Sequence, residues 1–297
     1  MFGAIGRVAL FVITNVLIVI TLSVVLSLLG VGHYVTAGGL DYGSLAIFCL
    51  VWGMGGALIS LMLSRVMAKM FMRVKVIDPQ QPGEYAWLVR TVHDIARRAN
   101  LPKMPQVGIY QSPEVNAFAT GPTKSRALVA VSSGLLQRMS EKEVEGVLGH
   151  EVAHIQNGDM VTMTLLQGIV NAFVMVLARI IAFAVVQNMR EENRGGVMFL
   201  ITFVLELIIG VFGIIVVCWF SRKREFRADQ GSATLVGREQ MLAGLQSLAR
   251  MQGVSEVGDT ARSIDHYKIT GKRRKGFALF ATHPPIEARI QSLQSYA

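Results

Sequence analysis

Residues 140–159 read SEKEVEGVLGHEVAHIQNGD, and this stretch predicts one helix that carries the main chemical motif of the chain. Ser140 and Glu143 fit a capping box, in which the serine accepts a hydrogen bond from a free backbone N–H and the glutamate reaches back to the first residue. We predict that the helix runs to about Asn157 and that Gly158 ends it.

Within this helix, His150-Glu151-Val152-Ala153-His154 forms an H-E-x-x-H pattern. Residues four apart share one helical face, so the two imidazoles can bind a single metal ion. Glu151 lies beside that face, where its carboxylate can take a proton from a water molecule at the metal. Because imidazole suits Zn²⁺, we predict one zinc ion per chain, with Glu151 as the catalytic base.

A catalytic zinc site needs a third protein ligand and an open position. The strongest candidate is Glu225, in the run Arg224-Glu225-Phe226-Arg227-Ala228-Asp229. Glu225 and Asp229 are again four apart, so Glu225 can bind the zinc while Asp229 accepts from the far ring nitrogen of a zinc-bound histidine. Alternatively, this run is a basic membrane border in which the acidic residues are incidental.

The composition points to a membrane protein. Hydrophobic residues make up 52% of the 297 residues and charged residues only 16%, whereas charged residues make up about 25% of a typical soluble chain. Two uncharged runs, 8–30 and 42–64, each exceed the roughly 20 residues that cross a bilayer as a helix. We predict that both span the membrane.

Two later apolar segments, 160–186 and 195–220, each contain one internal charge, Arg179 and Glu206. We predict that these segments also span the membrane, and that the two charges face protein or water and pair with each other. Such a hairpin would return the chain to the side it left, which brings the candidate ligands on either side of it together. The alternative is a hairpin that is partly buried in a soluble domain.

The formal net charge of +9 is unevenly spread, because the loop 31–41 contains no Lys or Arg while basic clusters follow the second and fourth apolar segments. This asymmetry places both termini and the catalytic domain in the cytoplasm and the first loop outside. Since these two clusters lie at membrane edges, we predict the lipid bilayer as a partner and no nucleic acid.

The predicted fold is a mostly α membrane protein with four transmembrane helices and a cytoplasmic α+β zincin-like metalloprotease domain. An amphipathic helix over 84–100 and three β-prone stretches, 106–110, 115–120 and 127–131, predict a small antiparallel sheet beside the metal helix. We predict two transmembrane helix pairs, over 1–72 and 160–221. The cytoplasmic catalytic domain is predicted in two parts, of which 73–159 is the first and 222–297 the second.

The chain resembles the HtpX-like zinc metalloproteases of the bacterial inner membrane, which are distant relatives of the CAAX prenyl proteases. The similarity covers essentially the whole length. The matching pieces are Asn116-Ala117-Phe118-Ala119-Thr120-Gly121, His150 to His154, Asn157-Gly158-Asp159, Trp219-Phe220-Ser221-Arg222, Glu225 to Asp229 and Thr282-His283-Pro284-Pro285. The resemblance implies zinc held by His150, His154 and Glu225, with Glu151 as base.

The resemblance also bears on residues whose roles the sequence leaves open. His283, stiffened by two prolines, is either structural or part of the site; the resemblance implies that it stabilises the oxyanion, with help from Arg289. It further suggests that an edge strand formed by Asn116, Ala117, Phe118 and Ala119 pairs with extended substrate. The implied role is quality control of misfolded or membrane proteins in the inner membrane, beside an ATP-dependent membrane protease.

We therefore predict a membrane-embedded zinc metalloendopeptidase. One alternative is a non-catalytic scaffold or transporter with a structural zinc, but such a zinc normally has four protein ligands and no open position. The other alternative is a narrow prenyl-protein protease, which only substrate assays can separate.

The charge asymmetry makes the topology testable. Reporter fusions after Val35 and Arg190 should report outside, and fusions after Gln80 and at the C-terminus should report inside, because basic clusters remain in the cytoplasm. An inside signal after Arg190 would remove the last two crossings, while leaving the predicted metal site unaffected.

Overall fold

The computed structural model describes residues 4–31, 34–36, 39–81, 83–258 and 277–295, and within these ranges the chain is mostly helical. The helices are α1 (Ala4–Leu28), α2 (Tyr42–Phe71), α3 (Ala86–Arg98), α4 (Ser133–Arg138), α5 (Glu141–Asn157), α6 (Asp159–Val186), α7 (Glu191–Val236), α8 (Arg238–Gly258) and α9 (Ile286–Gln294). The strands are β1 (Val35–Thr36), β2 (Gly39–Leu40), β3 (Lys75–Val76), β4 (Gln106–Tyr110), β5 (Ala117–Thr120) and β6 (Leu128–Ser132).

The chain divides into two compact units, each made from two separate stretches. The first unit comprises Met1–Met62 and Thr162–Val217, and the second comprises Leu63–Val161 and Cys218–Ala297. Helix α7 contributes its N-terminal part to the first unit and its C-terminal part to the second. The strands β3 to β6 all belong to the second unit, which therefore holds the α+β part of the fold.

Three described helices are long and apolar enough to cross a membrane. They are Tyr42–Phe71, Asp159–Val186 and Glu192–Val236. Of the first apolar run, Val16–Leu28 qualifies as a shorter apolar helix, although α1 itself begins at Ala4. These helices fit the predicted membrane protein, and a fourth crossing stays a prediction.

The predicted pairing of the two charges in the last apolar segments is confirmed. Arg179 of α6 donates to Glu206 of α7 at 2.5 Å, and its guanidinium lies 5.4 Å from the ring centre of Phe48 on α2. Each charge thus has a partner inside the first unit, which is the condition for tolerating such residues in a hydrocarbon environment.

The sheet of the second unit differs from the predicted antiparallel arrangement. Its strand order is β3-β4-β6-β5, and the central pair β4–β6 is parallel, while the two outer pairs are antiparallel. The reason is the loop after β4, which crosses the C-terminal end of β6: Ser132 Oγ donates to the Glu114 carbonyl at 2.7 Å, and Gly134 N–H donates to the Ser112 carbonyl. Strand β5 therefore starts beyond β6 and forms an edge.

Helix α5 has the ends that its sequence predicts. The capping box of Ser140 and Glu143 is present, and Gly158 ends the helix with a left-handed φ of 72°. The inward face of α5, including Leu148 and Val152, joins a hydrophobic core shared with α3, β4, β6 and α7. This core fixes the orientation of the histidine-bearing face.

A close helix contact makes Gly146 of α5 indispensable for packing. A Cβ at this position would lie 2.2 Å from the carbonyl oxygen of Gln240 on α8, a backbone atom that cannot turn away. Gly146→Ala should therefore lower the free energy of unfolding by about 1–3 kcal/mol, as overpacking does elsewhere. Thermal unfolding of the purified protein measures the loss, with Gly56→Ala, whose Cβ would meet nothing within 4 Å, as control. Equal melting of the two variants would contradict the packing argument.

Candidate metal centre

Three buried side chains of the second unit bring their ligand atoms together. His150 and His154 project from α5 and Glu225 from α7, and their exposed fractions are 7%, 8% and 0%. The two Nε2 atoms lie 3.0 Å apart, and they lie 3.5 Å and 3.3 Å from the nearer carboxylate oxygens of Glu225. Among the described residues, these three form the group that can hold a metal ion.

These separations fit zinc. Zinc–ligand distances of about 2.0–2.1 Å in a tetrahedral site put neighbouring ligand atoms about 3.3 Å apart. In addition, Glu225 Oε1 is fully buried and has no hydrogen-bond partner among the described residues, which is costly unless a cation satisfies it. Two imidazoles and one carboxylate are also a donor set that zinc accepts in catalytic sites.

Each histidine is oriented from behind by a carboxylate. Asp229 accepts from His150 Nδ1 at 2.9 Å, and Asp159 accepts from His154 Nδ1 at 2.6 Å. With the proton held on Nδ1, the Nε2 lone pair of each neutral ring is free to bind a metal. Arg289 in turn holds Asp229 with two parallel hydrogen bonds, at 2.8 Å and 2.6 Å.

Asp159, the hydrogen-bond partner of His154, has no role predicted from the sequence. Its signal is the Asn157-Gly158-Asp159 turn, in which Gly158 ends α5 in a left-handed conformation. The turn lets Asp159 begin α6 directly behind the last turn of α5, where its carboxylate meets His154. Without the glycine, the helix could continue and carry the aspartate past the histidine.

The site is electrostatically matched to a cation. Burial raises the pKa of Glu225, but the neighbouring imidazoles of His150, His154 and His283 outweigh burial and hold this pKa well below its usual range. Burial lowers the pKa of His154, yet the neighbouring carboxylates of Asp159 and Glu225 outweigh burial and raise this pKa to about 9. The carboxylates therefore favour positive charge at this point of the structure, which is what a bound cation supplies.

The carboxylate of Glu151 lies between the metal ligands and the edge strand β5. Ala119 N–H donates to Glu151 Oε2 at 2.8 Å. Ser132 N–H at the end of β6 donates to the Asn116 carbonyl, and Asn116 N–H donates to Ser132 Oγ. In this register of β5 with β6, the alternate residues Ala117 and Ala119 direct their backbone groups to the open edge. The candidate base is thus fixed by a backbone amide of the strand that faces the cleft.

A cavity of about 140 Å³ adjoins these groups. Its lining includes Asn116, Ala117, His150, Glu151, Glu225, His283 and Arg289, together with apolar side chains of α4, α5 and α8. Phe118 is not part of this lining, because its side chain lies on the other face of β5 and packs on Tyr110 with ring centres 5.7 Å apart. The cleft therefore borders the strand edge and the metal ligands at the same time.

The remaining predicted residues approach the centre from the C-terminal segment. His283 Nδ1 lies 2.7 Å from Glu225 Oε2, while its side chain is 64% exposed. Arg289 is buried, and its shortest contacts are those with Asp229, so its main contact orients that carboxylate. Arg222 of α7 places this segment by donating to the carbonyls of Leu279 and Ala281 at 3.0 Å and 2.7 Å.

Comparison with known proteins gives a consistent family. The sequence profile of peptidase family M48 matches residues 82–297. Proteins named "Protease HtpX homolog" are 49% identical over 294 residues in Acidovorax ebreus (strain TPSY), 50% over 295 in Variovorax paradoxus (strain S110) and 48% over 297 in Bacillus subtilis (strain 168). Each alignment covers 97% of this chain and at least 98% of the relative.

Among solved structures, the crystal structure of S. mikatae Ste24p is similar in fold. The TM-score is 0.59 at 15% sequence identity, and the match covers 84% of this chain. This chain spans 58% of the length of that protein. At this identity the likeness concerns the fold alone.

The carboxylates behind the histidines should tune metal affinity. Asp159→Asn and Asp229→Asn should each weaken metal binding by about 10–100-fold, because each removes the charge that orients one imidazole. Competition with a zinc chelator measures the affinity, and Asp94→Asn on α3, an exposed pair with Arg97, is the matched control. Unaltered affinity in both variants would show that the histidines need no such support.

Proposed function

The chain belongs to peptidase family M48 and is a membrane-associated metalloprotease, and we propose that His150, His154 and Glu225 hold its catalytic zinc ion. The observation that carries this proposal is the meeting of three buried ligand atoms with the carboxylate of Glu151 in one cleft. The H-E-x-x-H pattern on α5 and the glutamate on α7 together give a gluzincin-type site.

A zinc ion bound there would act as a Lewis acid, lowering the pKa of a water molecule and polarising the scissile carbonyl. Glu151 accepts the proton of the attacking water and later delivers it to the leaving amine. The bond from Ala119 N–H holds the Glu151 carboxylate in place for this transfer. Asp159 and Asp229 keep both imidazoles in the metal-binding tautomer.

Substrate recognition through the main chain follows from the open edge of β5. An extended polypeptide can pair with the edge-facing backbone groups of Ala117 and with the carbonyl of Ala119, which would place its scissile bond beside Glu151. His283 shares the cleft and would donate to the oxyanion that develops on the scissile carbonyl. Arg289 assists by fixing Asp229 behind His150.

The number of protein ligands favours an enzyme over a scaffold with structural zinc. Structural sites are closed by four protein ligands, whereas catalytic sites keep one position open. The described residues supply three ligands, and a cleft adjoins them. A general base beside the ligands has no use in a structural site.

The cellular setting is part of the same proposal. We place the protein in the bacterial cytoplasmic membrane as a four-span protein with its catalytic part in the cytoplasm, supported by the basic clusters and the long apolar helices. Its substrates would be misfolded or membrane proteins, and an ATP-dependent membrane protease would work beside it. The relatives named as HtpX homologs are consistent with this quality-control role.

Removing the proton acceptor tests the reaction directly. Glu151→Gln should lower turnover of an unfolded protein substrate by about 10²–10⁴-fold, because the amide cannot accept a proton. Zinc content, measured on the same sample, should stay at one per chain. Glu145→Gln, on the same helix but away from the ligands, should cleave like the wild type.

Cleavage of the substrate by Glu151→Gln at the wild-type rate would falsify the assignment of the base. If the zinc-loaded wild type cleaves no protein substrate, the result would favour the alternative of a scaffold with structural zinc.

A further inference from the structure

The first unit contains a cavity of about 450 Å³ between α2, α6 and α7. Its lining combines glycines and apolar residues with four polar side chains, which are those of Trp52, Gln167, Asn171 and Glu206. Asn171 lies near the middle of α6, a helix long and apolar enough to span a bilayer. Polar groups therefore line an open space at the depth of the hydrocarbon core.

These polar groups are incompletely satisfied. Gln167 Nε2 donates to Asn171 Oδ1 at 2.8 Å, and Asn171 itself is exposed. The ring nitrogen of Trp52 is buried without a hydrogen-bond partner among the described residues. Because hydrocarbon offers no hydrogen bonds, groups of this kind call for a polar partner that enters the cavity.

The cavity is open beside Gly210 of α7. A Cβ at Gly210 of α7 would meet nothing within 4 Å, so that side of the cleft is open. The opposite side is closed, since a Cβ at Gly53 of α2 would lie 2.6 Å from the backbone of Ala172 on α6. Small residues at such positions allow helices to approach closely in membranes.

We propose that this cleft binds a transmembrane helix of a substrate protein that carries a neutral polar side chain near its middle. This inference rests on the proposed function and names the substrate class of the same enzyme. Glu206 is already paired with Arg179, so the groups left to the partner are neutral amide and indole groups. A helix that displays an unpaired Asn or Gln in the bilayer is a mark of a misassembled membrane protein, since such a side chain normally finds a partner inside its own bundle.

Two variants test the cleft without changing the active site. Asn171→Leu removes the amide and Gly210→Leu fills the open side, and neither change introduces a polar group into lipid. Each should reduce cleavage of a membrane substrate whose transmembrane helix has a central Asn by about 10-fold, the value of an interhelical hydrogen bond with its packing. Cleavage of a soluble unfolded protein should be unchanged.

Control variants of the enzyme and of the substrate show whether the effect depends on the polar contact in the cleft. Phe173→Leu on α6, 64% exposed, should leave both substrates unaffected, and Asn171→Gln should restore most of the cleavage of the membrane substrate. Replacing the central Asn of the substrate helix by Leu should lower its cleavage by wild-type enzyme to the level of the Asn171→Leu variant.

Binding is measured without catalysis by a photo-cross-linker at position 210 in the Glu151→Gln background, where the adduct should contain the substrate helix. Cross-linking to a second copy of the chain would instead assign the cleft to self-association and overturn the proposal. The proposal would also be overturned if Asn171→Leu and Gly210→Leu reduced cleavage of both substrates equally, or reduced cleavage of neither. A wild type that cleaves neither substrate argues against the proposed function, while the cross-link still reports on the cleft.

Discussion

A carboxylate with no access to water organises the second unit. Glu225 is 0% exposed, and an uncompensated buried charge costs several kcal/mol. Its neighbours are the imidazoles of His150, His154 and His283, which come from α5 and from the segment before α9. Helix α5, helix α7 and the C-terminal segment must therefore meet at one point, and the same point is where a metal ion fits.

The features that local sequence specifies could be predicted. The start and end of α5 depend on Ser140, Glu143 and Gly158, all within or beside the helix itself. The spacing of four between His150 and His154 places both rings on one face regardless of the rest of the fold. The pairing of Arg179 with Glu206 follows equally from the cost of a lone charge in hydrocarbon.

Other contacts between distant elements could not be predicted, because they depend on the route that the chain takes between those elements. The parallel pairing of β4 with β6 depends on the loop that passes over Ser132, and β-propensity contains no information about that route. The role of Asp159 depends on a turn that points it back at the preceding helix. The contact of Arg289 with Asp229 joins residues far apart in the chain, so side-chain type alone left its role open.

The residues of the metal centre come from separate parts of the chain, so they are synthesised at different times. The ribosome makes His150 and His154 first, then the apolar hairpin, then Glu225, and only near the end of the chain His283 and Arg289. A nascent or truncated chain thus contains the two histidines without the remaining ligand and its supports. The complete centre can therefore form only after the C-terminal segment with His283 and Arg289 has been synthesised.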